Sequence, residues 1–432
     1  MPLELRSSDP GFDAAFARLL DDRAAGNPSV RAAVEAIIAD VMERGDEALI
    51  ALTERYDRLR LSPGTIRIGA DEIASARAAC PKDALDALEF AAGRIREYHE
   101  LQKPRDLDHV DPAGIRLGWR WTAIDAVGLY VPGGLASYPS SVLMNAIPAR
   151  VAGVERLAMT VPAPDGAISP LVLAAADIAG IDEIYRIGGA QAIAALALGT
   201  GSVRAVDKIV GPGNAFVAEA KRQLFGRVGI DTIAGPSEIL VIADAGNDPL
   251  HIAADLLSQA EHGTDAQAIL ITADADFAKD VAAAVDRLLE TLPRTAIAAQ
   301  SWRDFGAIIL VRDPEEAAAL ANRIAPEHLI LALAEPELLL PLIRHAGAIF
   351  MGRHCPEAVG DYVAGPDHVL PTMRAARFAS GLSVLDFMKR SSIMGCDAAG
   401  LARIGPMAVT LAKAEGLDAH ALSVSLRLGD VS

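Results

Sequence analysis

The chain has 432 residues, and single hydrophobic cores rarely exceed roughly 250–300 residues, so two or more domains are expected. Apolar residues make up 51% of it and aromatics only 4%, so Ala, Leu, Ile and Val must supply the packing. A formal charge of −17 repels phosphate backbones and anionic lipid, which argues against nucleic acid or a membrane surface as partner.

The first residues, MPLELRSSDP, have neither a basic start nor an apolar core, so no signal peptide is expected. No apolar stretch approaches the roughly 18–20 residues that span a bilayer. Cys80, Cys355 and Cys396 form no CxxC and make an odd count, which fits a reducing cytoplasm better than a disulfide framework. Residues 11–100 read as helical: VRAAVEAIIADVMERGDEALIALTERYD carries apolar positions at three- and four-residue spacing. From Trp121 to about Phe350, short β-branched runs alternate with longer Ala-rich segments. The expected strands are 126–131, 157–161, 183–187, 207–210, 238–243, 268–272, 307–311, 329–333 and 347–351. That alternation is the signature of α/β architecture with mainly parallel sheets, and nine strands fit two sheets more easily than one. After Gly381 the pattern reads as a helical tail.

Three glycine-rich segments each follow a strand, as a phosphate-cradling turn should: GLYVPGG (128–134), IGGAQAIAAL (187–196) and KIVGPGN (208–214). None is a GxGxxG opening a helix, so the usual dinucleotide fingerprint is missing, and ordinary βα turn chemistry explains them equally well. Further on, EILVIAD reads as a buried strand, Asp248-Pro249 as a helix start, and Leu250, Ala253, Ala254 and Leu257 as an apolar stripe. Gln259 and His262 close that helix at i, i+3 and share a face. Such a pair is usually only a polar face, since metal-binding helices more often show two His at i, i+4. With Asp361 or Glu415 and a further imidazole, His368 or His420, it would form a mixed N/O site suited to zinc. Spacing does not choose between the two histidines. In APEHL, Glu327 and His328 are adjacent, so they reach one substrate as acid and base only from a bend, which Pro326 favours. Cys355 has no basic partner in view and is set aside as a nucleophile.

Together these segments resemble the histidinol dehydrogenase family over nearly the whole chain. The resemblance rests on SYPSSVLMNAIPARVAGV (137–154), IGGAQAIAALALGTGSV (187–203), KIVGPGN, EAKRQLFGRVGID (219–231), GPSEILVIAD (235–244), SQAEHG (258–263), APEHL (325–329), ASGLSVLDFMKRSS (379–392) and EGLDAH (415–420). Small departures are Leu135 for Thr, Cys355 for Thr, Asp367 for Asn and Ile330 for Glu, none at a position to which the family assigns chemistry.

The resemblance implies an intertwined homodimer in which each subunit holds two incomplete Rossmann-like parallel-sheet units with helical N- and C-terminal extensions. Its expected divisions are an N-terminal helical arm (1–25), a first unit (26–120 with 237–320), a second, NAD-binding unit (121–236 with 321–380) and a dimerising tail (381–432). It implies NAD-dependent oxidation of L-histidinol to L-histidine through the aldehyde, with one zinc ion per subunit. By matching motifs the zinc ligands are Gln259, His262, Asp361 and His420, and Glu327 and His328 are the acid/base pair. Ser237, Gln259, His262, His328, Asp361, Glu415 and His420 contact substrate; Tyr130, Gln191 and Asn214 contact NAD. Glu415 and His420 would complete the site of the neighbouring subunit. Rival readings are a sibling dehydrogenase acting on a sulfonated diol, a zinc hydrolase with no use for nicotinamide, and a non-catalytic metal-binding protein.

Overall fold

A computed structural model of the chain describes residues 2–21, 28–133, 138–233 and 235–429. Two parallel sheets form its body. The six-stranded sheet runs Leu3–Arg6, Ala307–Leu310, Gln267–Thr272, Glu238–Ala243, His328–Ala332, Ala348–Met351 from edge to edge. The five-stranded sheet runs Glu183–Tyr185, Arg156–Thr160, Ala126–Tyr130, Lys208–Val210, Gly229–Ile230. Central strands such as EILVIA and QAILIT are buried at every position, because helices cover both faces. Each fully buried Ile, Leu or Val there contributes about 1.5–3 kcal/mol through the hydrophobic effect.

On the six-stranded sheet, Pro249–Ala260, Ala275–Leu289 and Thr295–Phe305 pack one face, and Phe12–Asp21 with Pro314–Ile324 pack the other. The five-stranded sheet carries Lys82–Glu100, Pro139–Ala152 and Pro170–Ile178 on one face. Its other face carries Pro28–Arg44, Asp46–Asp57, Gly189–Leu198 and Ala215–Leu224.

All nine expected strands form, with ends shifted by a residue or two. Their grouping differs from the expected division. Segment 28–100 packs on the five-stranded sheet, not with 237–320, and His328–Ala332 and Ala348–Met351 join the six-stranded sheet, not the 121–236 unit. Short crossovers between successive parallel strands keep neighbours in one sheet, which favours this arrangement. The N-terminal arm begins with a strand, Leu3–Arg6, pairing parallel to Ala307–Leu310 along the sheet edge.

The tail is not wholly helical either. Met388–Gly395 pairs antiparallel with Arg116–Ala123, which also pairs with Leu107–Val110. MKRSSIMG is exposed along most of its length and held by its ladder rather than by burial, so it has no apolar alternation to betray it. A helical hairpin follows, Ala398–Ala414 and Asp418–Leu428. Among the described residues, no helix is long and apolar enough to cross a membrane.

Candidate active site

The amino ends of two neighbouring strands build the polar centre. Helix Pro314–Ile324 stops at Ala325, which takes the left-handed conformation (φ 49°), and Pro326 leads into the strand that begins at His328. This is the bend the adjacent Glu327 and His328 require. Both grip one backbone residue of the next strand. The amide of Glu238 donates to Glu327 Oε2 at 2.9 Å, and His328 Nδ1 donates to the carbonyl of Glu238 at 3.1 Å. Both side chains are buried, and their charged groups lie 3.7 Å apart. His328 Nε2 is thereby aimed away from the strand.

What it faces comes from the short helix Glu357–Tyr362. Glu357 and Asp361, one turn apart, present carboxyl oxygens 3.6 and 3.7 Å from Nε2. Ligand atoms of His328, Glu357 and Asp361 lie within 4.8 Å of one another, a spacing that could hold a metal ion. Ser258 Oγ donates to Glu357 Oε2 at 3.2 Å. Gln259 is buried, and its Oε1, like His328 Nε2 and Glu357 Oε1, has no hydrogen-bond partner among the described residues. Buried polar atoms seldom stay unpaired, so these three oxygen and nitrogen atoms mark where a ligand belongs. His262 is not on the Gln259 helix, which ends at Ala260. It sits in the following turn, its amide donating to the Gln259 carbonyl at 3.1 Å.

The charges explain one another. Burial pushes Glu327 up to about 7. Burial and the neighbouring Asp361 likewise raise Glu357, whereas Asp361 stays well below the usual carboxylate range because His328, His368 and Glu357 together outweigh its desolvation. Burial alone would lower His328, but Glu327, Asp361 and Glu357 prevail and lift it to about 10. These neighbouring carboxylates favour the protonated imidazole. His262 is exposed in this chain, yet the protein around its ring depresses its pKa, with Asp361 partly opposing.

The glycine loops lie at the other sheet's carboxyl ends. Tyr130 closes the strand Ala126–Tyr130, and its hydroxyl accepts from the Gly189 amide at 3.1 Å; burial lifts that hydroxyl to about 12. Gln191 is buried in Gly189–Leu198. Asn214 is exposed and caps Ala215–Leu224, its Oδ1 accepting from the amides of Phe216 and Val217. Strand order reverses between Ala126–Tyr130 and Lys208–Val210, and crevices at such switch points are where open α/β sheets take ligands. Gly211 there has φ 109°, and a Cβ on it would fall 2.1 Å from the Tyr130 carbonyl oxygen.

Hydrogen bonds link the two ends. Ile230 ends the five-stranded sheet and Glu238 opens a strand of the other, with half-buried Ser237 between them. Ser141, in the helix after the Tyr130 loop, donates to His368 Nε2 at 3.2 Å, and His368 Nδ1 donates to the Asp361 carbonyl at 3.0 Å. His368 thus bridges the halves. Glu415 and His420 do not join the cluster; both are exposed on the C-terminal hairpin. Cys355 is free and half-buried, and Leu135 lies outside the described residues. Glu357 escaped the sequence reading, although its i, i+4 spacing to Asp361 was the available signal. An open cavity of about 960 Å³ beside Arg67, Arg77 and Asp177 lies away from this centre, and Arg77 there is paired with Asp177 and Glu89.

Residues 21–428 match the family model for histidinol dehydrogenase. The chain is 64% identical to the histidinol dehydrogenase of Gluconobacter oxydans over 424 residues, covering 98% of this chain and 99% of that protein. It is 62% identical to that of Ruegeria pomeroyi over 428 residues, 99% of each chain. The crystal structure of histidinol dehydrogenase from Elizabethkingia anophelis, 36% identical, matches with a TM-score of 0.94 over 99% of this chain and 98% of that one.

Proposed function

The chain belongs to the histidinol dehydrogenase family, and we propose that it oxidises L-histidinol to L-histidine through L-histidinal, using two NAD, as the last step of histidine biosynthesis. The observation that carries this reading is the grip of Glu327 and His328 on Glu238 beside Glu357 and Asp361. Tyr130 and Gln191 shape the floor of the crevice at Gly211 and Asn214 its rim. NAD held there would supply the hydride acceptor for each half-reaction.

Residues at the cluster also fit a metal ion. The buried, unpartnered Oε1 of Gln259, anionic Asp361 and the imidazole of His262 would make a mixed N/O donor set suited to zinc. We assign one zinc per subunit to Gln259, His262, Asp361 and His420 of the partner subunit. Held there, zinc would supply a Lewis-acidic point for the substrate nitrogens and a positive charge to offset the carboxylates around His328.

His328 Nε2 then takes the hydroxyl proton of the alcohol, its ring held by the Nδ1–H bond to Glu238. Glu327, with one oxygen held by the Glu238 amide, orients water and takes its proton as the aldehyde is hydrated. Ser237 borders the substrate. Glu415 of the partner subunit borders the substrate, where a carboxylate would repel a sulfonate and so argues against a sulfonated diol. The shared site needs a homodimer, and the hairpin leaves Met407, Leu411, Leu422 and Leu426 at 51–65% exposure, an apolar surface suited to burial by a second copy.

Limiting histidinol should yield two NADH per molecule with little free aldehyde; a yield of one, with histidinal accumulating, overturns the four-electron reading. Subunit sharing has its own test. Inactive His262→Asn and His420→Asn proteins, refolded together, should regain part of the activity and zinc content, because one site of the mixed dimer escapes both lesions. A confirmed mixed dimer with no recovery rejects the shared site.

A further inference from the structure

Behind the Gly211 loop lies an ion pair that the proposed chemistry does not use. Lys221 stands on the helix Ala215–Leu224, and Asp231 follows the edge strand Gly229–Ile230; their side chains are 2% and 3% exposed. They pair with each other and close on a single residue. Lys221 Nζ donates to the carbonyl of Gly211 at 2.9 Å, and the Gly211 amide donates to Asp231 Oδ2 at 2.7 Å. Asp231 is itself fixed by its amide, which donates to the carbonyl of Ile209 at 3.3 Å.

Gly211 has φ 109°, where side chains are strained, and it lies so close to the Tyr130 carbonyl that no Cβ fits. Glycine in such a place costs chain entropy and has no side chain to hold it. A buried ion pair seldom adds net stability, because desolvation offsets the attraction; its better attested use is to fix one conformation. Here both polar groups of the freest residue in the loop are tied to opposite charges.

We propose that Lys221 and Asp231 are positioning residues that hold the Gly211 turn and the N-terminus of Ala215–Leu224 in the shape that receives NAD, without touching it. This rests on the assignment of the crevice to NAD. A merely structural pair would affect stability and both substrates together; a clamp on the loop affects NAD alone.

Lys221→Met leaves a buried unpaired carboxylate, so its stability falls. Lys221→Met combined with Asp231→Asn removes both charges and should recover much of the thermal stability while still lacking the bond to the Gly211 carbonyl. In that double variant the KM for NAD should stay raised about tenfold, as one lost charged hydrogen bond implies, with kcat and the KM for histidinol within about twofold. A KM for NAD that returns with stability, or two KM values rising together, overturns the clamp. Exchange of the Gly211 amide hydrogen in the wild-type enzyme tests it without any variant: slow exchange before NAD is added is expected, and fast exchange overturns it. Wild-type protein that reduces no NAD with histidinol would instead overturn the reading on which the clamp rests.

Discussion

The two parallel sheets share a topology and use opposite ends of it. In both, strand order reverses once, between Ala126–Tyr130 and Lys208–Val210 in one and between Glu238–Ala243 and His328–Ala332 in the other. A carboxyl-end crevice is the usual ligand site at such a point. The five-stranded sheet leaves its crevice to backbone, with Gly211 against Tyr130. In the six-stranded sheet the equivalent place is filled. Asp244 accepts from the amides of Ala334 and Gly246 and from Arg353, and Asn247 donates to the carbonyl of Ala332 at 2.7 Å. Its candidate acid/base pair, Glu327 and His328, lies at the amino end instead. One topology thus offers two ends, and the loops decide which end becomes a site.

The largest effects should come from that amino end. His328→Asn should slow both oxidations about 10²–10⁴-fold, because each needs a base, whereas Glu327→Gln should mainly slow oxidation of supplied histidinal. Rapid-mixing measurements of each half-reaction separate them, and equal losses in both for Glu327→Gln would refute the division of roles.

Next come the two crevices. Gly211→Ala forces a Cβ against the Tyr130 carbonyl, with strain of about 1–3 kcal/mol, and should raise the KM for NAD. Asp244→Asn in the filled crevice loosens the bond to Arg353 and should lower stability by about 1–3 kcal/mol, leaving both KM values unchanged. A change in NAD affinity for Asp244→Asn would show that the filled crevice also serves the cofactor.

The smallest effect lies in the segment joining the halves. Asp367 is buried next to His368, its Oδ2 3.9 Å from buried His99 Nε2, and desolvation raises its pKa well above the ordinary 3.8. The folded chain therefore holds a proton that the unfolded chain releases, and the stability this group contributes falls as pH rises from about 4. Asp367→Asn removes that loss. Its melting temperature should match wild type near pH 4 and exceed it at higher pH. A difference independent of pH would mean that Asp367 is charged when folded.

Local order along the chain was legible. Apolar runs marked all nine central strands, and the Gly loops and Glu327-Pro326 bend were visible as punctuation, because periodicity and turn chemistry depend only on neighbours in sequence. The family motifs picked out Gln259, His262, Asp361 and His420 from a larger set that spacing left open. Tertiary structure decided the rest. Which sheet receives 28–100 or His328–Ala332 depends on pairings far apart in sequence, and the exposed ladder of Met388–Gly395 leaves no pattern at all. The proton on His328 likewise follows from three carboxylates, two of them about thirty residues away, that only folding brings to its ring.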